Sequence, residues 1–169
     1  MVIGDIHGCY DELTMLLERA RFSQDDKVVA VGDLTVKGPK SRQVLSLFYS
    51  DSRFSSVVGN HDLALVRFWK GVTSKLKASQ ESVFVELRNG GEHLLEYLSS
   101  LPSYIDLDAH VVVHAGLRPG IPLNQQSLDD LVVHAFVPNF VLPFAICLRA
   151  IHCRVCALHE SLCCDIVMI

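Results

Sequence analysis

The sequence has no excess of positive charge: 15 lysines and arginines stand against 19 aspartates and glutamates, a formal net charge of −4 at pH 7. A chain so balanced lacks the electrostatic footprint of a protein that grips a nucleic-acid backbone, so DNA is not an expected partner. A phosphorylated substrate is still allowed, because bound metal ions would reverse the field locally. Met1-Val2-Ile3-Gly4-Asp5 has neither a basic lead nor an apolar run, so no signal peptide is expected there. No internal repeat is present. Cysteine is absent between Cys9 and Cys147, and five of the six cysteines fall between Cys147 and Cys164. That distribution favours a reducing, cytoplasmic setting over a disulfide framework.

What is present is globular. Half of the 169 residues are apolar and a fifth are charged, enough for one domain with a real core. Val2-Ile3 reads as a strand stub. Tyr10 to Ala20 follows as a helix, with Leu13, Leu16, Leu17 and Ala20 on one face. Asp11 and Glu12 lie in its first turn, where they suit the helix dipole. Lys27 to Val31 reads as a buried strand, Lys40 to Ser50 as a helix, and Ser56-Val57-Val58 as a third strand. Helical stretches follow at about Leu63–Trp69, Gln80–Arg88 and Glu92–Ser99, then a strand from His110 to His114. Strands alternating with helices predict an α/β arrangement, with polar groups just past the strand ends as the natural place for a site.

Those strand ends carry one kind of chemistry: Gly4-Asp5-Ile6-His7-Gly8, Gly32-Asp33, Gly59-Asn60-His61-Asp62 and His114-Ala115-Gly116. Asp5 and His7 are one residue apart and can face the same side. Carboxylate, imidazole and amide oxygen together suit manganese, iron or zinc, and the lack of a thiolate in the set disfavours a zinc finger. Two such ions could activate a water and clamp phosphoryl oxygens, with Asp33 as bridging carboxylate, His61 as the acid for the leaving oxygen and Lys37 as a phosphate contact. Each motif also has a plainer reading: a capped turn, a helix N-cap, a strand-end histidine, a solvated lysine. Their ordered recurrence at successive strand ends favours the site.

The set resembles the calcineurin-like metallophosphoesterases, in the branch of the phosphoprotein phosphatases and symmetrical diadenosine tetraphosphatases. Gly4–Leu13, Gly32–Pro39, Val58–Leu65 and His114–Leu123 are most similar to the ApaH-like phosphatase group. The resemblance covers residues 1–131 and implies a four-layer αββα sandwich. It implies that Asp5, His7 and Asp33 hold one divalent ion, that Asp33, Asn60 and His114 hold a second, and that His61 is the general acid. Lys37 falls where many relatives carry a phosphate-binding arginine.

Three departures stand against it. Val36 sits where protein phosphatases of this branch carry an aspartate that orients the catalytic histidine, and Lys37 gives up an arginine's bidentate fork. Beyond Leu131 no family pattern continues, so a final histidine ligand and part of the second sheet are expected to be missing, and the second ion to be weakly held. Residues 132–169 form an apolar, cysteine-rich tail. Its His152, Cys153, Cys156, His159, Cys163 and Cys164 could suggest zinc, but one CxxC is weak support. Val132 to Leu148 could suggest a membrane span, which two prolines and His134 oppose. An alternative or out-of-frame ending of a longer gene product is the plainer account of the tail.

The sequence therefore predicts hydrolysis of a phosphoanhydride or phosphomonoester, with a dinucleoside polyphosphate or a capped RNA 5' end favoured as substrate. A protein Ser/Thr phosphatase acting on phosphoprotein, or a truncated non-catalytic protein that binds metal or a partner, are the alternatives.

Overall fold

The computed structural model describes residues 1–107 and 110–134, together with the backbone of the short strand at 145–146. The first sheet is three-stranded and parallel. Strand β1 (Val2–Ile3) pairs with the central β2 (Val28–Ala30), which pairs on its other side with β3 (Phe54–Ser56). Helix α1 (Tyr10–Arg19) connects the first two strands and α2 (Ser41–Ser50) the next two. Three helices follow: α3 (Asn60–Trp69), α4 (Ala78–Arg88) and α5 (Glu92–Ser100). A second three-stranded sheet is built from β4 (Tyr104–Asp106), β5 (Val111–Val113) and β6 (Ala145–Ile146). Within it β4 and β5 run antiparallel, and β5 and β6 parallel.

Period-two alternation along the strands decides how the layers stack. Ile3, Val28 and Ala30 join Leu13, Val44, Leu45, Phe48, Leu65 and Leu95 in the largest core, between the first sheet and its helices. Val2, Val29, Val31 and Val57 join Val112 of β5 in a second core, between the two sheets. Val113, one residue along β5, packs instead with Val58 and with Leu131 and Val132 of α6 (Leu128–Val132). The result is helices, sheet, sheet and a short helix in sequence, the expected αββα order. Ser127 caps α6, its side-chain oxygen accepting from Asp130 N at 3.1 Å.

Element boundaries moved in two informative places. The third strand ends at Ser56 rather than reaching Val58: Val57 N still donates to Ala30 O, but Val58 N donates to Pro102 O. The chain leaves the ladder there, which carries Gly59 and Asn60 towards Asp33. Helix α3 begins at Asn60 rather than about Leu63, so Asn60, His61 and Asp62 form its first turn. Strand β4, which periodicity did not reveal, is short and half-exposed.

Among the described residues no helix is long and apolar enough to cross a membrane. The cysteine and histidine cluster between His152 and Cys164, and most of the apolar run after Val132, lie outside the described residues.

Candidate metal centre

Each candidate ligand follows a strand end, and the intervening backbone is held by cross-bonds between the loops. Ile6 N and His7 N both donate to Asp33 O, at 3.2 and 2.7 Å, Gly8 N donates to Leu34 O and Gly38 N to His7 O. His7, Asp33, Val36 and Lys37 all take positive φ, at 51°, 50°, 72° and 67°. For a β-branched residue such as Val36 that conformation is an outlier, and strained residues of this kind gather at functional sites. Two strand ends also meet back to back. Gly32 adopts φ +100°, and a Cβ on Gly59 would collide with the amide nitrogen and Oδ1 of Asp33. Glycine is required here by approach as much as by conformation.

Asp5, His7 and Asp33 converge so that one ligand atom from each lies within 4.8 Å of the others. His7 Nδ1 is 3.1 Å from the carbonyl of Thr35. Since a carbonyl only accepts, Nδ1 carries the proton and Nε2 presents its lone pair to the cluster. His114 repeats the device: Nδ1 donates to Val31 O at 2.8 Å, and Nε2 lies 3.7 Å from Asp33 Oδ1. His114 Nε2 and Asn60 Oδ1 are buried acceptors with no hydrogen-bond partner among the described residues. Leaving such atoms unpaired is costly; His114 Nε2 lies beside Asp33, and Asn60 opens the first turn of α3. A cation satisfies lone pairs of this kind directly, so the donor set fits divalent metal. Asp33 Oδ1 also accepts from His61 N at 2.9 Å, which restrains the carboxylate's orientation.

The electrostatics fit the same reading. Burial pushes the Asp33 carboxyl up to about 6; His114 opposes the shift, while Asp62 and Asp5 add to it. Burial would also raise Asp5, but His7, 3.6 Å away, and the charges of His114 and Lys37 outweigh it and hold Asp5 below its ordinary value. Burial is the largest single influence on His7 and acts to lower it, but Asp5, Asp33 and the Thr35 carbonyl together outweigh it and raise it. The cluster is thus two carboxylates in want of a positive partner. Lys37 supplies one, its Nζ 2.6 Å from His7 Nε2.

His61 stands beside the cluster, its ring edge-on to His7 with centroids 5.2 Å apart. Its Nδ1 is buried and has no hydrogen-bond partner among the described residues. Burial first, then the charges of His7, Lys37 and Lys77, push its pKa down to about 4. The structure brings together six of the residues singled out from the sequence, Asp5, His7, Asp33, Lys37, His61 and His114, and places Asn60 at the start of α3 next to His61. Of the histidines downstream, His134 is exposed and bonds Asp129 O; the others lie outside the described residues.

One residue of the centre escaped the sequence reading except as part of a helix cap. Asp62 is fully buried, and its carboxylate accepts from Leu34 N, Thr35 N, Thr35 Oγ1 and Gly59 N. A cap explains the Gly59 contact alone; the other three bonds reach into the loop after Asp33. No local signal in Asn60-His61-Asp62 shows that, because the partners are more than 25 residues away.

Comparison with known proteins agrees with this geometry. Residues 1–140 match the calcineurin-like phosphoesterase family profile. The chain is 39% identical over 120 residues to a symmetrical bis(5'-nucleosyl)-tetraphosphatase of Vibrio parahaemolyticus, covering 70% of this chain and 44% of the relative. It is 38% identical over 145 residues to the same-named protein of Vibrio campbellii, covering 85% of this chain and 54% of the relative. It thus spans about half the length of the curated relatives it matches. A crystal structure provisionally assigned as a diadenosine tetraphosphatase superposes with a TM-score of 0.67 at 37% identity, covering 78% of this chain and 56% of that one. A metallophosphoesterase from Sphaerobacter thermophilus gives 0.54 at 26%, covering 68% and 46%. The converging strand-end ligands and these similarities have one common account: the chain belongs to the calcineurin-like phosphoesterase family.

Proposed function

We propose that this chain supplies the metal-binding and proton-donating part of a phosphoesterase centre that cleaves the phosphoanhydride of a dinucleoside polyphosphate. The observation that supports the reading is the Asp5, His7 and Asp33 cluster with His114 Nε2 3.7 Å from Asp33 Oδ1, where His114 Nε2 and Asn60 Oδ1 have no hydrogen-bond partner among the described residues. Asp5, His7 and Asp33 would hold one ion, and Asp33, Asn60 and His114 the other. When bound, two divalent ions (manganese, iron or zinc) supply an activated water and neutralise the phosphoryl oxygens.

The chain's own groups do the rest. Asp33, held by the His61 amide, would serve both ligand sets. His61 is the group that would give the leaving oxygen its proton. With a pKa near 4 it is neutral at pH 7, so it becomes an effective acid only when an anionic substrate lies against it and offsets its burial. Lys37 contacts a substrate phosphate as a point charge. The polyphosphate assignment rests on the similarity to the symmetrical tetraphosphatases; a capped RNA end or a phosphoprotein offers the same phosphoryl chemistry.

The test is release of nucleotide from diadenosine tetraphosphate by the purified chain with manganese, beside a capped RNA and a phosphopeptide. Asp33→Ala should abolish release. Equal turnover by the variant would sink the assigned centre. One observation favours a second reading, metal binding with little turnover: among the described residues His61 Nδ1 has no hydrogen-bond partner, and Val36 stands where the family resemblance implies an orienting carboxylate. Metal content measured on the same preparation separates the two: bound ions without nucleotide release support the second reading.

A further inference from the structure

Asp62 makes a set of contacts that a helix cap does not require. We infer that Asp62 is a positioning residue that sets the orientation and tautomer of His7 through Thr35, an inference that rests on the proposed metal centre. Its carboxylate is completely buried and, among the described residues, makes no ion pair with a lysine or arginine. Oδ1 accepts from Thr35 N at 3.1 Å and Thr35 Oγ1 at 2.7 Å; Oδ2 accepts from Leu34 N at 3.1 Å and Gly59 N at 3.3 Å. A carboxylate offers about four lone-pair sites, so Asp62 has none left for a metal ion. It is a neighbour of the centre, not a ligand.

What it holds is the loop that orients a ligand. Thr35 is gripped twice, by amide and hydroxyl, and its carbonyl is turned to receive His7 Nδ1 at 3.1 Å. That bond places the proton on Nδ1 and the lone pair of Nε2 in the cluster. Asp62, Thr35 and His7 therefore form a relay in which a buried anion on α3 fixes an imidazole on the loop after β1, across 55 residues of chain. Neutral imidazoles that ligate metals depend on such outer partners, and losing one typically costs about 10–100-fold in metal affinity. Asp62 also accepts from Gly59 N, at the strand end whose close approach to Asp33 leaves no room for a Cβ. One side chain thus steadies the backbone beside His7, Asp33 and Asn60.

A structural role alone would stabilise α3 and leave His7 unaffected. Thr35→Val separates the two, since it removes the hydroxyl while leaving the cap at Gly59 intact. The experiment uses the full chain with manganese titrated calorimetrically, thermal unfolding, and the ring-nitrogen NMR shifts of His7 in metal-free protein, assigned by difference against His7→Gln. The wild-type chain should show His7 protonated at Nδ1. Thr35→Val should lose that single tautomer and weaken the first manganese ion about tenfold or more. Thr35→Ser, which keeps the hydroxyl, should recover both. Asp62→Asn places an amide NH2 against backbone donors and should be worse than Thr35→Val if it folds. Wild-type tautomer and manganese affinity in Thr35→Val would overturn the inference, whatever happens to stability. A wild-type chain that binds no manganese would instead defeat the proposed metal centre, while the tautomer comparison would still decide the role of Asp62.

Discussion

Lys37 Nζ lies 2.6 Å from His7 Nε2, the same lone pair that the proposed first metal ion needs. An ammonium and a divalent cation cannot share that nitrogen, so metal binding requires Lys37 to swing outward. Its side chain is exposed and free to do so, and outward is where a substrate phosphate would lie. Replacing the amine, as in Lys37→Met, should tighten the first manganese ion roughly tenfold, about 1.4 kcal/mol. It should also raise KM for a polyphosphate substrate. Calorimetry and steady-state kinetics check the two halves separately, and unchanged manganese affinity would mean the contact costs the site nothing.

Manganese should stabilise the folded chain, because the half-buried Asp5 and the buried Asp33 face one another's charge. At a hundredfold excess over Kd a single ion contributes about 2.7 kcal/mol. The unfolding midpoint should rise with manganese and fall again with chelator. His114→Ala should lose part of that gain, since it removes one ligand of the second set. A midpoint indifferent to manganese would remove the metal centre from this chain.

Gly59→Ala should damage the site without adding or removing a charge. Its Cβ would strike Asp33 at both the amide nitrogen and Oδ1, so the carboxylate must move. A cost of about 3 kcal/mol is expected, at the upper end for overpacking, together with loss of manganese binding. Chemical denaturation and calorimetry would show it. A variant that kept wild-type affinity would mean that Asp33 can shift without consequence.

Alkaline stability should depend on Tyr97. Burial, with Asp62 adding to it, pushes its hydroxyl up to about 12. The unfolded chain gives up this proton near pH 10 and the folded chain does not, so stability is complete below pH 10 and falls between 10 and 12. The loss is on the order of 1–2 kcal/mol. Tyr97→Phe should flatten this part of the stability curve, measured by denaturant titration at pH 9 and pH 11. An unchanged slope would assign the alkaline loss elsewhere.

The helices were legible where an apolar face repeated with helical period. Tyr10 to Ala20 became α1, ending one residue earlier, and Lys40 to Ser50 became α2, starting one residue later. Strand β3 was misplaced by two residues because Val57 and Val58 look more strand-like than Phe54 and Ser55. Their backbone bonds decided otherwise, since Val58 pairs with Pro102 rather than with β2. Strand β4 was missed: three residues, one of them a charged Asp106, make too short a pattern.

The sequence by itself supplied the candidate donor set. Residue type and place after a strand are local properties, and Asp5, His7, Asp33, Asn60, His61 and His114 could be named from them. Tertiary structure alone decided which nitrogen of each histidine faces the centre, because Thr35 O and Val31 O are contributed by other segments. It likewise turned Asp62 from a cap into the anchor of the Thr35 loop, and set the Lys37 amine on His7. These are contacts between groups far apart in the chain, and no spacing along one segment encodes them.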